Sequence, residues 1–261
     1  MFDLNAYLLG LAALALITLF VWVMSLVRRD AGIIDLFRSL SFIVAALVYA
    51  AATDTPTGTR TTLTLMLVTI WGLRLSGYLT WRNWGEPEDY RYRRMRERGG
   101  PNWPYRNLLT VFWGQGVLAW LVSAPLLPAM DGTEDLGWLG FLGIGIWVVG
   151  IFFEAVGDWQ LSYFKKDPVN QGKVLDSGLW HLTRHPNYFG DFMVWWGLFF
   201  IAADAGGWWS VYGPIVMSVL LMRVSGVTLL ERKLTKTRLG YEEYVRTTNA
   251  FFPGPKKRAS R

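Results

Sequence analysis

The ten-residue stretch "LTRHPNYFGD", residues 182–191, concentrates side chains that could do chemistry directly before an apolar run. It holds a cation, an imidazole, an amide, a phenol and a carboxylate: Arg184, His185, Asn187, Tyr188 and Asp191. Pro186 suits the first turn of a helix, and that register puts Asn187 and Asp191 on one face at i and i+4. The free N–H groups of a helix start attract anions. The stretch therefore predicts a docking point for a ligand's phosphate or carboxylate, with ordinary capping and an interfacial arginine as the alternative.

A second polar group ends the preceding apolar segment, in "IFFEAVGDWQLSYFKKDP". Four residues follow one another at i, i+4, i+7 and i+11: Glu154, Asp158, Leu161 and Lys165. A continuous helix aligns them as one stripe. Acids inside an apolar helix are costly unless they face a polar cavity or a charged partner. The stripe indicates either the polar wall of a binding cavity or two acids that answer an arginine of a neighbouring helix.

The C-terminal part carries two further candidates. Arg223 lies inside an apolar segment, and an intramembrane arginine is a functional-site hypothesis with an acid of the earlier groups as its partner. Tyr241 and Tyr244 share a helical face and either stack on a flat ring of a ligand or belong to an interfacial aromatic belt.

The N-terminal part places four polar groups inside two apolar segments. Asp35 and Arg38 are spaced i and i+3, and Arg74 and Tyr78 are spaced i and i+4. They line one cavity, or they form simple local pairs that would look the same in sequence.

Composition excludes several classes of chemistry. The chain has no cysteine and only two histidines, so thiolate catalysis, iron–sulfur clusters and cysteine-ligated zinc are excluded and we expect no metal. Signatures of Rossmann dinucleotide binding, P-loops, zinc proteases and GxSxG hydrolases are absent from the sequence. The net charge of +6 comes from short loops between apolar segments, so we expect no nucleic-acid partner.

Long apolar blocks must position these groups. Hydrophobic residues make up 52% of the 261 residues, and they gather in seven segments close to the length that crosses a bilayer. The segments are residues 5–27, 33–52, 61–81, 107–129, 137–157, 188–203 and 208–230. The first lacks the basic start and cleavage site of a signal peptide, so we expect it to be a retained helix. The sequence predicts an all-α polytopic membrane protein with about seven transmembrane helices.

The distribution of Lys and Arg predicts the orientation. With the N-terminus outside and the C-terminus in the cytoplasm, Arg60 is the only one of the 26 Lys and Arg residues in an outer loop. The two long connections then face the cytosol, and so does a site built from them. We predict one membrane domain over residues 1–261, with residues 256–261 as a basic tail next to membrane lipids.

The same residues carry a family resemblance. "LTRHPNYFGD", the following "WWG" and the later "ERKL" and "YEEYVRTTNAFFPG" resemble the steroid 5-alpha-reductase-like superfamily, specifically its bacterial branch of multi-span proteins known as domain of unknown function 1295. The resemblance covers residues 25–255 and is strongest from Glu154 onward.

The resemblance implies an enzyme of the bacterial inner membrane with its active site facing the cytoplasm. Residues 107–255 would enclose NADPH, and residues 1–106 would shape a pocket for a lipid or steroid-like substrate. Carried over residue by residue, the cofactor contacts are Glu154, Asp158, Lys165, Arg184, His185, Asn187, Tyr188, Asp191, Arg223, Tyr241 and Tyr244. The implied activity is that of an NADPH-dependent oxidoreductase acting on CH–CH groups, similar to a 3-oxo-5-alpha-steroid 4-dehydrogenase.

The catalytic groups depart from the family pattern, because its Gln–Glu pair in the second span is not found. By position, we expect Tyr78, tuned by Asp35 or Arg74, to polarise the substrate's carbonyl.

Two alternatives to the reductase function stay open. Isoprenylcysteine carboxyl and phospholipid methyltransferases share a similar helix start and bind S-adenosylmethionine, and Glu242 and Glu243 resemble their cofactor-binding pair. A lipid-binding or transport scaffold without enzymatic activity is the second alternative.

Overall fold

The computed structural model describes residues 2–53, 58–131, 135–224, 231, 234–235, 237–238 and 240–257. All regular secondary structure within these ranges is helical, which confirms the all-α prediction. The helices are α1 (Leu4–Arg28), α2 (Ile33–Ala52), α3 (Thr59–Asn83), α4 (Tyr90–Gly99), α5 (Trp103–Asn107), α6 (Gly114–Val122), α7 (Leu126–Met130), α8 (Trp138–Lys166), α9 (Leu179–Leu182), α10 (Pro186–Asp204), α11 (Tyr212–Val219) and α12 (Tyr241–Thr247).

The chain divides into two compact units. Unit 1 comprises Met1–Gly137 and Ile201–Gly213, and unit 2 comprises Trp138–Phe200 and Pro214–Arg261. The functional division at residue 106 that the sequence suggests is a different partition, and it stays a prediction.

Four helices of the described chain are long and apolar enough to cross a membrane: α1, α2, α3 and α8. They correspond to the predicted segments at residues 5–27, 33–52, 61–81 and 137–157, so those four predictions are confirmed as helices of spanning length. Large apolar side chains on the outer faces of α1, among them Leu16 at 68% exposed, are typical of a surface that lipid covers.

The other three predicted segments are less regular. Residues 107–129 are divided into a π-helical turn (Leu108–Trp113), α6 and α7. The segment at 188–203 is α10, and the one at 208–230 begins with a 3₁₀ turn (Trp208–Val211) and α11, ends its described part in a π turn (Leu220–Val224), and then lies outside the described residues. The seven-span arrangement and its orientation therefore stay predictions.

A buried ion pair joins the ends of two segments of unit 1. Arg60, at the start of α3, is 2% exposed and donates from Nη1 to Asp204 Oδ2 at 2.8 Å. The backbone N–H of Gly137 donates to the same carboxylate at 2.7 Å. These charge-assisted hydrogen bonds fix the start of α3 because each buried charge has a partner.

Glycines set the packing of unit 2. A Cβ added at Gly190 of α10 would lie 2.6 Å from the carbonyl oxygen of Gly150 in α8, and one added at Gly197 would lie 2.7 Å from that of Gly143. These distances require that no side chain stands between the two helices, as in other close contacts of membrane helices. The glycine of "NYFGD" therefore positions α10 directly on α8.

Candidate functional site

Unit 2 contains a cavity of about 430 Å³ with aromatic walls and a basic rim, which we call the basic slot. Trp180, Tyr241 and Tyr244 supply the aromatic surface. The lining residues with charge are Lys165, Lys166, Asp167, Lys173, Arg184 and Arg238. Five cations against one acid, among the described lining residues, make the slot suited to a ligand with several negative charges.

Hydrogen bonds hold the aromatic walls in place. Trp180 Nε1 donates to the carbonyl of Gly157 in α8 at 3.1 Å, and the Tyr244 hydroxyl donates to the carbonyl of Trp180. The ring of Tyr241 contacts that of Tyr244 at a centroid distance of 5.8 Å. Burial raises the pKa of both tyrosines, so their phenols stay neutral. The slot therefore offers flat, uncharged surfaces next to its cations.

Arg184 ties the start of α10 to the C-terminal part of unit 2. Its Nε donates to Glu231 Oε1 at 2.7 Å, and its Nη1 donates to the carbonyls of Val245 and Thr248. The side chain is 7% exposed. Because its hydrogen bonds are used in this way, Arg184 mainly organises the wall of the slot that it lines.

His185 shares the same carboxylate. Its Nε2 lies 3.1 Å from Glu231 Oε1, and its ring stacks on that of Tyr188 at 5.5 Å. Burial lowers the pKa of His185 despite the opposing contact with Glu231, so the imidazole is neutral and donates from Nε2. Burial alone would raise the pKa of Glu231, but the hydrogen bonds from His185 and Arg184 outweigh it and lower that pKa to about 2.

The C-terminal segment is hydrogen-bonded to the residues just before α10. Gly254 N donates to the carbonyl of Leu182 at 3.1 Å, Arg184 N donates to that of Asn249 at 2.9 Å, and Thr183 Oγ1 donates to that of Phe251 at 2.8 Å. Backbone hydrogen-bonding groups of "LTRHP" therefore find their partners in the chain's own C-terminal residues.

The acids of the two sequence motifs lie where α8 and α10 touch. Glu154, Asp158 and Asp191 are 2%, 4% and 8% exposed. Asn187 Nδ2 donates to Asp158 Oδ1 at 3.1 Å. The structure thus brings Asp158 of the α8 stripe and Asn187 of the polar face of α10 together, and this partner is an amide where the sequence suggested an arginine.

The eleven predicted cofactor residues separate into groups by position. Four line the slot, namely Lys165, Arg184, Tyr241 and Tyr244. The contact between α8 and α10 contains Glu154, Asp158, Asn187 and Asp191, and the cluster around Glu231 contains His185 and Tyr188. Arg223 is exposed on the π turn after α11.

Sequence reasoning missed Trp180, Lys173 and Glu231 as residues of this site. The loop "KKDPVNQGK" after the α8 stripe repeats its lysines, which was the available signal for Lys173. Glu231 begins the "ERKL" motif of the family resemblance, but nothing local in the sequence marks Trp180 or pairs Glu231 with Arg184 and His185, because these contacts join distant segments.

Unit 1 contains a second cavity of about 610 Å³, which we call the amphipathic cavity. Its apolar wall consists of Met24, Ile33, Leu36, Phe37 and Leu40. Its polar lining includes Arg28, Asp30, Asp35, Ser76, Thr80, Arg82, Asn83, Glu86, Asp89 and Arg91. A molecule with an apolar body and a polar end suits this combination.

Asp35 is at the polar end, but its partners are not the predicted ones. Its Oδ1 accepts a hydrogen bond from the Tyr92 hydroxyl at 2.9 Å, and its Oδ2 accepts one from Arg91 at 3.0 Å. Tyr78 instead lies beside two arginines of its own helix, with the guanidinium carbons of Arg74 and Arg82 5.8 and 5.5 Å from its ring centre. Neither Tyr78 nor Arg74 is among the described residues that line this cavity.

Comparisons with known proteins identify the family of the chain. The family described as a protein of unknown function, DUF1295, matches residues 21–248, which is most of the chain. The chain belongs to this family. The predicted family is confirmed, and a partial match to a steroid reductase fits its place in the steroid 5-alpha-reductase-like superfamily.

Two curated relatives of this DUF1295 protein match over shorter stretches. A probable O-methyltransferase of Ustilaginoidea virens is 43% identical over 101 residues, which are 38% of this chain and 34% of that protein. A steroid 5-alpha-reductase of Gossypium hirsutum is 40% identical over 66 residues, 25% of this chain and 26% of that protein. The chain thus spans about a third or less of each relative's length. No solved structure gives a significant match.

Proposed function

We propose that the protein is an integral membrane reductase that uses NADPH to reduce a carbon–carbon double bond conjugated to a carbonyl group in a lipid. Membership of the family and the partial similarity to a steroid 5-alpha-reductase support an oxidoreductase at a coarse level. The observation that carries the proposal to NADPH is the basic slot, which combines stacking surfaces with a surplus of cations.

The residues of the slot fit the nucleotide end of NADPH. An adenine ring can stack on Trp180, Tyr241 or Tyr244, since aromatic faces bind flat rings. Lys165 and Lys173 then supply point charges for phosphate groups, including the 2′-phosphate that distinguishes NADPH from NADH. When bound, NADPH supplies the hydride for the reaction.

The membrane arrangement follows the same proposal. Seven spans with the N-terminus outside would leave the C-terminal end of α8 and its basic connection to α9 on the cytoplasmic side, where NADPH is available. The four helices of spanning length and the placement of Lys and Arg support this orientation, in the bacterial inner membrane.

The lipid substrate is assigned to the amphipathic cavity. Asp35 lines this cavity, which supports its assignment to the substrate side. Tyr78 and Arg74 stay predictions without that support. Water must be kept from the reacting carbon, and the apolar wall provides such a surface.

Methyl transfer from S-adenosylmethionine is the second candidate, because the match to a probable O-methyltransferase is longer than the match to the reductase. S-adenosylmethionine carries no phosphate and has a cationic sulfonium. Besides Arg184, which is paired with Glu231, four basic residues line the slot against one acid, and this charge disfavours such a ligand electrostatically and favours NADPH. A lipid-binding scaffold would bind neither cofactor.

Thermal shift on the purified full-length protein in detergent tests this proposal. A ligand that binds only the folded state raises the melting temperature. We expect NADPH to do so more strongly than NADH and S-adenosylmethionine to have no effect. Stabilisation by S-adenosylmethionine alone would reassign the slot to methyl transfer, and no response to any of the three would favour the scaffold.

Charge-reversal variants connect the response to the slot. Lys165→Glu and Lys173→Glu should each weaken NADPH binding about 10- to 100-fold, because a hydrogen bond to a charged group contributes about 1.5–3 kcal/mol. Arg106→Glu is the control for the change of charge, since Arg106 is an exposed cation of unit 1 that does not line the slot. An equal loss in all three variants would contradict the assignment.

A further inference from the structure

We propose that Arg91 is the residue that receives the substrate's carbonyl oxygen in the amphipathic cavity and stabilises the negative charge that develops on it. Arg91 lies on α4, which was not singled out from the sequence, and it lines the polar end of the cavity. This inference rests on the proposed reductase function and names its electrophilic group.

Two carboxylates fix the guanidinium of Arg91. Its Nε donates to Asp89 Oδ1 at 3.1 Å, and its Nη2 donates to Asp35 Oδ2 at 3.0 Å and to Asp89 Oδ2 at 3.2 Å. These contacts use Nε and Nη2, so within the described part of the chain Nη1 keeps its donors for a ligand. The side chain is 41% exposed, which is compatible with ligand access.

A buried chain of hydrogen bonds supports Asp35 from behind. Tyr92, at 5% exposed, donates its hydroxyl to Asp35 Oδ1 at 2.9 Å, and the same hydroxyl accepts from Gln115 Nε2 at 3.2 Å. Burial and the negative charge of Asp35 raise the pKa of Tyr92, so the phenol keeps its proton and remains a donor. Asp35 and Tyr92 are therefore positioning residues, and Arg91 is the group that faces the ligand.

The described lining of this cavity has four acids against three arginines, so the proposed contact is a directed hydrogen bond from the Nη1 side of Arg91 and does not depend on a net positive charge of the cavity. Asp30 Oδ1 accepts a hydrogen bond from the backbone N–H of Gly32 at 2.8 Å. Asp89 Oδ1 accepts hydrogen bonds from both the side-chain Nε and the backbone N–H of Arg91. Glu86 is exposed. The groups closest to the guanidinium are thus already committed to orienting it.

The chemistry of the proposed reaction needs such a cation. The β carbon of the conjugated lipid takes up the hydride, the electron pair of the double bond shifts to give an enolate, and a proton from water then adds to the α carbon. The product is the saturated carbonyl compound. A fixed guanidinium stabilises the enolate oxygen more than the neutral carbonyl, and this difference lowers the barrier.

The substrate class follows from the same cavity. The polar end receives a carbonyl oxygen, and the wall of Ile33, Leu36, Phe37 and Leu40 receives the apolar body. We infer a lipid whose carbonyl lies at its polar end, next to the double bond that is reduced.

A carboxylate probe tests the anion site without NADPH. Dodecanoate places a negative oxygen at the end of an apolar chain, and dodecanol is the uncharged probe of equal length. We expect dodecanoate to raise the melting temperature of the parent protein in detergent more than dodecanol does. Arg91→Gln should weaken dodecanoate binding about 10- to 100-fold, the loss of one charged hydrogen-bond partner.

Three further variants complete the test. Arg94→Gln, an exposed arginine of the same helix, should bind dodecanoate like the parent. Arg91→Lys should recover only part of the affinity, because a lysine cannot reproduce the fork held by the two carboxylates. Tyr92→Phe keeps the guanidinium but frees Asp35, so it should weaken binding less than Arg91→Gln, and it serves if Arg91→Gln does not fold.

The outcomes separate this inference from the proposed function. Equal dodecanoate affinity in the parent, Arg91→Gln and Arg91→Lys would overturn the role of Arg91, and so would equal responses of the parent to dodecanoate and dodecanol. The NADPH shift should be unchanged in Arg91→Gln. If NADPH does not raise the melting temperature of the parent protein, the proposed reductase function is contradicted. The dodecanoate comparison then still decides whether Arg91 binds an anion.

Discussion

A methyl group at Gly190 would collide with the backbone of α8. The added Cβ would lie 2.5 Å from the Glu154 nitrogen and 2.6 Å from the Gly150 oxygen, whereas relaxed contacts between heavy atoms are about 3.5–4.0 Å apart. Gly190→Ala must therefore push α10 away from α8 by about 1 Å. Overpacking of this kind costs about 1–3 kcal/mol. The better helix propensity of alanine offsets about 0.5–1 kcal/mol of that cost.

The assay is thermal unfolding of the purified protein in detergent, with Gly145→Ala as the matched control. Gly145 lies on α8, and a Cβ there meets nothing within 4 Å. For a chain of this size, 1 kcal/mol shifts the melting temperature by about 2–4 °C. The net cost is about 0–2.5 kcal/mol, so we expect Gly190→Ala to melt up to about 10 °C below the parent and Gly145→Ala to melt up to about 4 °C above it. Equal shifts of the two variants, or a stabilised Gly190→Ala, would refute the close contact of α8 with α10.

Two further predictions concern buried charges. A group whose pKa is lower in the folded than in the unfolded protein stabilises the fold at high pH, and this stability is lost as the pH falls below the unfolded pKa. The melting temperature should therefore decrease below pH 6.5 because of His185, and decrease further between pH 4.5 and about 2 because of Glu231. His185→Gln should remove the first decrease and Glu231→Gln the second, and an unchanged pH profile would contradict the assignments. Arg60→Ala removes the guanidinium beside the buried carboxylate of Asp204 and should destabilise the protein by about 3–5 kcal/mol in denaturant titrations. The double variant Arg60→Met/Asp204→Leu should recover most of that loss, and purely additive effects would show that the pair is not coupled.

The two cavities change how the sequence motifs are interpreted. Asn187 of "NYFGD" and Asp158 of the α8 stripe take part in a contact between helices, while the open surface for a ligand lies beyond them, at Lys165. The family motif therefore combines residues that hold two helices together with residues that face a cavity, and only the second group is expected to change affinity without changing stability.

Local spacing allowed the sequence to predict the helical class, four helices of spanning length and the faces on which polar groups lie. Asp158 of the α8 stripe and Asn187 of the α10 face were assigned correctly to polar faces, because the period of a helix depends only on neighbouring residues. The family was also evident from short motifs, and the match over residues 21–248 confirms it.

The partners across those faces were decided by the tertiary structure. Asp35 pairs with Tyr92, which is 57 positions away, whereas Tyr78 lies beside Arg74, the other of the two partners expected for it from the sequence. Trp180, Lys173 and Tyr244 meet in one slot although they come from separate segments. Helix periodicity specifies which side a residue occupies, whereas the identity of its neighbour depends on how distant helices pack, and that information is spread over the whole chain.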